Sequence, residues 1–530
     1  MTNARKPIPS SSLSAADAAF LYLERKDIPL HIASVCIFDG PIPFKQFVAN
    51  IKSKLPLVPL YKKIPVVPAW SLEFPTWRED PDFDVRRHIF QVTLDSPGGE
   101  AELEALAAKL LSQVLDRNKP LWEMHVVDGL KDGRGAIIWR VHHSLCDGVS
   151  AADLMTKILD TTAEASLKRR RVRIPSSRPK AAESDFVKGL SAAVTTALGS
   201  LVMLETSLLD FAQGVLGGQD RGALKGLMDI LPEYAVSVER LPFNKPCTGT
   251  RKFCWAQMSM ADVKAVREEE GGTVNDVVLA VLARALARYV KLHGESVVKR
   301  FVRVICPVNL RPAEQNGNLG NQISFLPRAL PLDVRGPVEM LHAVAQRTEM
   351  LKKSGVLGLV GLAAKWFVTV PPPIQALFWR NIPDFILPLP LFNMICTNVM
   401  GSSVPLYAAG RKMIAAYPQV PTGYDLGIGV AVHSYDGRLF FGLIADTEAA
   451  PDVNRFRDFL VVSFEELLHS ATSKKTRRAK ARRKAKEMKQ GKKQEPKTAE
   501  PVPAAASENR IDEAPTGEQP VPVEHAVEAA

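Results

Sequence analysis

Residues 136–141, Ala-Ile-Ile-Trp-Arg-Val, run directly into His142-His143-Ser144-Leu145-Cys146-Asp147-Gly148. Apolar residues then recur at Ala151, Leu154, Met155, Ile158 and Leu159. The first run has the β-branched and aromatic content of a strand. The last follows the i, i+3, i+4, i+7, i+8 spacing of an amphipathic helix. The chain must therefore pass from strand to helix within a short turn, and that turn carries two histidines. Such a turn aims side chains into a crevice on a rigid α/β frame.

The spacing has a chemical reading. A histidine near neutral pH can take a proton from an alcohol and return one to a leaving group. Asp147, four residues after His143, can bond backbone or an arginine and so hold the turn and the ring. Gly148 allows a tight conformation or the close approach of another segment. The structural alternative is two buried, hydrogen-bonded histidines and a helix-capping aspartate; the motif alone leaves both open.

The rest of the chain divides by composition. Residues 1–165 read as one α/β unit, with strands at 31–38, 124–127 and 136–141 and helices at 44–55 and 100–115. A charge run at 168–173 and a Pro/Ser-rich stretch open a linker, followed by an amphipathic helical stretch over 186–231, so 166–246 reads as linker and crossover. A second α/β unit spans 247–470, with a long helix at 275–292, strands at 301–306, 394–399, 426–432 and 439–444, and a closing helix at 453–468. The tail, 471–530, lacks aromatic residues and reads as disordered by composition. The whole chain carries a net charge of +11, but residues 474–497 alone carry +11 and residues 498–530 carry −6. The body is thus only mildly cationic.

Composition excludes several classes. With 46% hydrophobic and 24% charged residues over a length of 530, the chain is neither wholly disordered nor collagen-like. The six cysteines are scattered without a Cys-x-x-Cys pair, against a disulfide scaffold or structural zinc and in favour of a reducing compartment. No N-terminal apolar core of signal-peptide length is seen. Residues 385–410 carry no charge, but Pro388, Pro390 and Pro405 would break a membrane-spanning helix. Residues 355–379 are divided by Lys365 and Pro371-Pro372-Pro373. The expectation is a protein that touches a membrane without crossing it.

The pattern His-His-x-x-x-Asp-Gly resembles the active-site motif of the bacterial wax ester synthase/diacylglycerol acyltransferase family. Further segments are similar in the same order: Ser14 to Leu21 with Glu24, Pro29 and His31; Pro120-Leu121-Trp122; Thr273-Val274-Asn275-Asp276; Pro307-Val308-Asn309-Leu310-Arg311; and Leu319-Gly320-Asn321-Gln322. The resemblance covers nearly all of 11–470. It implies two chloramphenicol-acetyltransferase-like domains with a catalytic channel between them. The chain departs at Asn398-Val399-Met400-Gly401-Ser402, where the family has Asn-Val-Pro-Gly-Pro, and at Asn309, where it has a small residue.

The resemblance implies acyl transfer from acyl-CoA to a diacylglycerol or a long-chain alcohol, giving triacylglycerol or wax ester. It assigns the general base to His143. Acyl-CoA is then a substrate, and no cofactor or metal is expected. His142 and Asp147 complete the candidate catalytic set: His142 either helps position the turn or is a packed neighbour, and Asp147 is assigned to the architecture of the turn rather than to a proton relay. Asn275, near a helix start, is either an oxyanion donor or an N-cap; Asp276 is structural. A nucleophilic Cys146 forming an acyl-enzyme is a rival, as is transfer from an acyl carrier protein or to another alcohol. A noncatalytic lipid-surface protein is the alternative from another class. The apolar stretches 357–367 and 385–392 could line a tunnel or meet lipid. The basic tail could bind anionic lipid, and no specific nucleic-acid partner is expected. The expected location is the cytoplasm, with peripheral attachment to the inner membrane or lipid inclusions open.

Overall fold

The computed structural model describes residues 12–146, 148–167, 238–309, 323–353, 370–386 and 392–491. The expected crossover helices over 186–231 and the apolar stretch 357–367 lie outside these residues. By their contacts, Met1–Lys475 form one unit and Thr476–Ala530 a second. The first half contributes α1 (Ala15–Leu23), β1 (His31–Phe38), α2 (Phe44–Lys54), β2 (Lys63–Val66), β3 (Thr76–Glu79), β4 (Ile89–Thr93), α3 (Glu100–Leu111), β5 (Trp122–Asp128), β6 (Gly135–His142), α4 (Gly148–Ile158) and α5 (Ala163–Leu167). The second contributes β7 (Arg251–Ser259), α6 (Met260–Glu270), α7 (Val274–Leu292), β8 (Phe301–Asn309), β9 (Ile323–Pro331), α8 (Pro337–Lys353), α9 (Pro372–Ile386), β10 (Met394–Met400), β11 (Tyr407–Ala408), β12 (Arg411–Gln419), β13 (Ile428–Tyr435), β14 (Arg438–Asp446) and α10 (Val453–Gly491).

Two six-stranded sheets result, ordered β11-β12-β1-β6-β5-β4 and β7-β14-β13-β10-β8-β9. In the first, apolar side chains of α2 and α3, such as Phe47, Ile51, Leu103 and Leu111, share a core with Val35, Ile138 and Trp122 of the strands. In the second, α7 is apolar nearly all round, as a helix enclosed by protein must be. It packs with β8, β10, β13, β14 and α10. Its start is a capping box: the Thr273 hydroxyl accepts from the Asp276 amide at 3.2 Å, and the Asp276 carboxylate accepts from the Thr273 amide at 2.9 Å. Thr273→Ala should cost about 1 kcal/mol, read as a lower midpoint in urea unfolding.

The segment 247–470 is not confined to the second sheet. β11 and β12 leave it and complete the first, with β12 antiparallel to β1 and Ala33 opposite Gln419. Only long-range pairing decides this, and no local pattern announces it. The tail expected from 471 also differs. α10 continues to Gly491, because 471–490 hold strong helix formers and no Gly or Pro; residues 492–530 lie outside the described residues. The expected helix at 100–115 stops at Leu111, where Ser112 caps it.

A buried ion pair braces the second sheet. Arg251 on β7 and Asp446 on β14 face each other across adjacent strands, both almost wholly buried. Asp446 also accepts from the Thr248 and Gly249 amides, at 2.8 and 3.0 Å. Arg251 donates onward to the carbonyls of Asp27 (3.0 Å) and Thr422 (3.1 Å). Asp27 lies in the loop leading into β1, so this pair ties β7 to the approach of the first sheet.

Candidate active site

β6 ends at His142, paired in register with His31 of β1. The turn that follows is pinned by backbone: the His142 amide donates to Leu121 O and the His143 amide to Leu30 O, both at 2.9 Å, and Leu145 N–H returns to His142 O at 3.0 Å. Strand alternation sorts the side chains. Trp139, Val141 and His143 face a cavity of about 180 Å³. Arg140 and His142 are not on its wall and lie in a buried polar layer.

That layer holds His142 in place. Ser144 N–H donates to His142 Nδ1 at 3.1 Å, which leaves Nε2 as the ring nitrogen that carries a proton. Nε2 stands 3.3 Å from Glu24 Oε1, within ion-pair reach. Glu24 is further held by Leu30 N–H at 3.1 Å and by Arg117 Nη2 at 3.0 Å. Burial pushes the Glu24 carboxyl up, but His142, Arg117 and the Leu30 amide outweigh it and hold the group at about 2. His31 beside them is pushed well below the usual histidine range, first by burial and then by the Arg140 charge. Arg140 donates to Glu123 and to the Leu110 and Gln113 carbonyls, anchoring the layer to α3.

Glu24 sets an acid limit. Its folded pKa lies below the ordinary 4.5, so its contribution is complete above that value and is lost as pH falls towards 2. The contribution is on the order of 3 kcal/mol. Glu24→Gln should remove it at neutral pH and flatten acid unfolding between about 4.5 and 2, followed by circular dichroism.

His143 is buried but reaches the cavity wall, and its ring stacks on Phe20 of α1 at 3.9 Å between centroids and 10° between planes. α1 and its C-cap residue thus touch both histidines, through Phe20 and Glu24 respectively. The other walls come from β1 (Ile32, Ala33, Ser34), from α4 (Ala151, Leu154, Met155) and from β10, β12 and β13. The cavity therefore lies between the two sheets, mostly aliphatic, with polar groups at Ser34, His143, Thr397, Asn398, Gln419 and His433.

The other expected residues separate. Gly148 opens α4, and Asp147 lies outside the described residues. Asn275 is not an N-cap, because Thr273 holds that position. Its Oδ1 accepts from Asn398 Nδ2 at a long 3.4 Å, so it meets the cavity wall through Asn398. Asp276 is committed to the capping box. Cys146 is buried in the first hydrophobic core and is not among the cavity-lining residues.

His433, Gln419, Phe20 and the role of Glu24 were not read from the sequence. Burial draws His433 down to about 4, only partly opposed by a hydrogen bond to the Val399 backbone, so its ring is neutral. Gly401 packs on that ring: a Cβ there would stand 2.2 Å from His433 Cε1 and 2.5 Å from Ser434 O. A side chain at 401 would therefore collide with the ring and with the strand backbone. Among the described residues, no group of three or more His, Cys, Asp or Glu is arranged to hold a metal ion. No described helix is long and apolar enough to cross a membrane.

Comparison with known proteins agrees with this architecture. Residues 13–278 match the wax ester synthase/diacylglycerol acyltransferase catalytic domain, and residues 319–468 match the WS/DGAT C-terminal domain. Two probable diacylglycerol O-acyltransferases of Mycobacterium tuberculosis are similar, one 30% identical over 85% of this chain and 97% of its own length, the other 28% identical over 84% and 92%. The wax ester synthase/diacylglycerol acyltransferase of Marinobacter aquaeolei VT8 superposes with a TM-score of 0.61 at 25% identity, covering 87% of this chain and all of that one. The first condensation domain of the calcium-dependent antibiotic synthetase shares the fold, with a TM-score of 0.54 at 14% identity over 87% of this chain and 96% of its own. Two sheets enclosing one cavity, the histidine turn on its wall and these matches along the chain make this protein a member of the wax ester synthase/diacylglycerol acyltransferase family, and an acyltransferase.

Proposed function

We propose that this enzyme moves a fatty acyl group from acyl-CoA to the free hydroxyl of diacylglycerol, forming triacylglycerol, or of a long-chain alcohol, forming wax ester, with His143 as general base. The observation that carries the proposal is the place of His143 on the wall of an aliphatic cavity between the two sheets. His143 takes the hydroxyl proton as the alcohol oxygen attacks the thioester carbonyl. The tetrahedral oxyanion collapses, the C–S bond breaks, and the imidazolium returns its proton to the CoA sulfur. Asn398, steadied by Asn275, and Thr397 face the same space from β10 and are candidate oxyanion donors.

His142 acts through position: its contacts with Ser144 and Glu24 fix the turn that presents His143. Asp147 is assigned to the same task. Segments 1–165 and 247–470 are the two acyltransferase-like halves, with β11 and β12 crossing between them. Acyl-CoA is consumed as a substrate, and no cofactor is invoked. The enzyme works from the cytoplasm, attached peripherally to the inner membrane or to lipid inclusions. Diacylglycerol is the first-choice acceptor, because the Mycobacterium tuberculosis relatives are named for it.

The test supplies palmitoyl-CoA to purified protein with hexadecanol or a diacylglycerol in parallel, with thiol release measured and lipid products identified. Acceptor-dependent release with triacylglycerol as the larger product is expected. Release with neither acceptor would overturn the proposal and move the search to another alcohol or to an acyl carrier protein donor.

A further inference from the structure

Among the described residues, the surface beside α1 carries several exposed apolar side chains. β2 and β3 form a two-stranded hairpin whose connecting loop, 67–75, holds Val67, Trp70 and Leu72 out to solvent. Trp70 is 89% exposed and sits at φ 61°, followed by Ser71 at φ 51°. Left-handed backbone at two consecutive non-glycine residues costs about 1–3 kcal/mol each. Here it displays the tryptophan to water while Ser71 turns inward and is buried.

α9 adds a second apolar face next to the first. Ile374, Leu377 and Phe378, at i, i+3 and i+4, point outward, with Leu377 66% exposed. The opposite face is committed: Ala376 is buried against Ala18 and Tyr22 of α1. The two features are tied together, since Arg380 on α9 donates to the Ser71 hydroxyl at 3.2 Å. Arg25, two residues past the end of α1, donates to the Arg380 carbonyl at 2.8 Å. Arg25, Lys26 and Arg380 are exposed at this edge, against the acidic Asp27 and Glu73. Contiguous exposed apolar residues with a tryptophan and a basic rim mark an interfacial surface. α1 then leads inward from the patch to Phe20 on His143 and Glu24 beside His142.

We propose that the 67–72 loop and the outer face of α9 dock the enzyme onto a phospholipid bilayer, with the apolar side chains entering the headgroup and acyl boundary and Arg25, Lys26 and Arg380 meeting anionic phosphates. The choice of a bilayer rests on the proposed function, because diacylglycerol resides there; the patch itself does not depend on it. Docking one helix away from the catalytic turn lets a lipid acceptor pass from bilayer to cavity with little exposure to water.

The experiment uses the full chain and phosphatidylcholine vesicles with and without phosphatidylglycerol, the diacylglycerol being embedded in them. Trp70→Asp combined with Leu377→Asp should weaken vesicle flotation at least tenfold and abolish turnover of embedded diacylglycerol. Turnover of a short, water-soluble alcohol should stay at the wild-type level, which also verifies folding. Trp70→Ala alone should give an intermediate loss, and vesicles lacking phosphatidylglycerol should bind wild type more weakly. Unchanged flotation of the double variant overturns the proposal. So does flotation lost only when 474–530 are deleted, which assigns docking to the tail, or a wild-type dimer that the variant dissociates, which assigns the patch to a second copy. If wild type turns over neither acceptor, the function proposal fails while the flotation comparison still decides the patch.

Discussion

His143→Ala is expected to lower acyl-CoA turnover about 10²–10⁴-fold, the range that positioned general acid–base catalysis supplies. KM for the acyl-CoA should change little, because the aliphatic walls that hold the chain remain. The ring is buried and stacked on Phe20, so its loss also removes packing. A purely structural role would show as a lowered unfolding midpoint with activity falling in proportion. Added imidazole separates the two, since it can restore proton transfer in the vacated space but cannot restore a collapsed fold. Recovery of turnover with imidazole, in a variant that melts near the wild-type temperature, is the expected result.

The largest stability effect is expected at Asp446. Asp446→Asn keeps the size of the side chain and removes its charge, leaving Arg251 buried without its carboxylate partner. Removing one member of a buried pair costs about 3–5 kcal/mol, most of it the uncompensated charge that stays behind. The double variant Arg251→Met, Asp446→Leu should be less destabilised than Asp446→Asn, because both charges then leave the interior together. Urea unfolding of the three proteins measures this directly. Equal destabilisation of single and double variants would show that the Thr248 and Gly249 amides, not the guanidinium, are what Asp446 chiefly serves.

Local patterns gave much of this molecule. The strand at 31–38 and the strand–turn–helix around His142 and His143 were readable because each is a short run with strong periodicity. The long helix at 275–292 was readable for the same reason, within a residue of its observed start. What the sequence withheld depends on partners distant along the chain. β12 joins β1 from almost 400 residues away, and nothing local in 411–419 distinguishes it from a strand of the second sheet. Glu24 lies within a recognisable segment, but its task needs Arg117 and His142 beside it. His433 sits in an apolar strand like a core residue, and only the opposing β6 shows that it shares a cavity with His143. Asn275 was open between cap and donor. Thr273 resolves the cap, because its hydroxyl and Asp276 complete the box first. The start of the tail at 471 falls inside α10, because composition that disfavours a core does not disfavour a helix, and Ala, Lys, Arg and Glu are good helix formers.

The central claim is direct transfer by His143 without a covalent acyl-enzyme, and rapid-quench measurement of CoA release tests it most directly. Enzyme is mixed with excess palmitoyl-CoA, with and without diacylglycerol, and its intact mass is recorded at each time point; Cys146→Ser is run alongside. The account predicts CoA release only when acceptor is present, no added palmitoyl mass on the protein, and full activity in Cys146→Ser. A burst of CoA without acceptor, matched by one palmitoyl group on the enzyme and absent from Cys146→Ser, would contradict it.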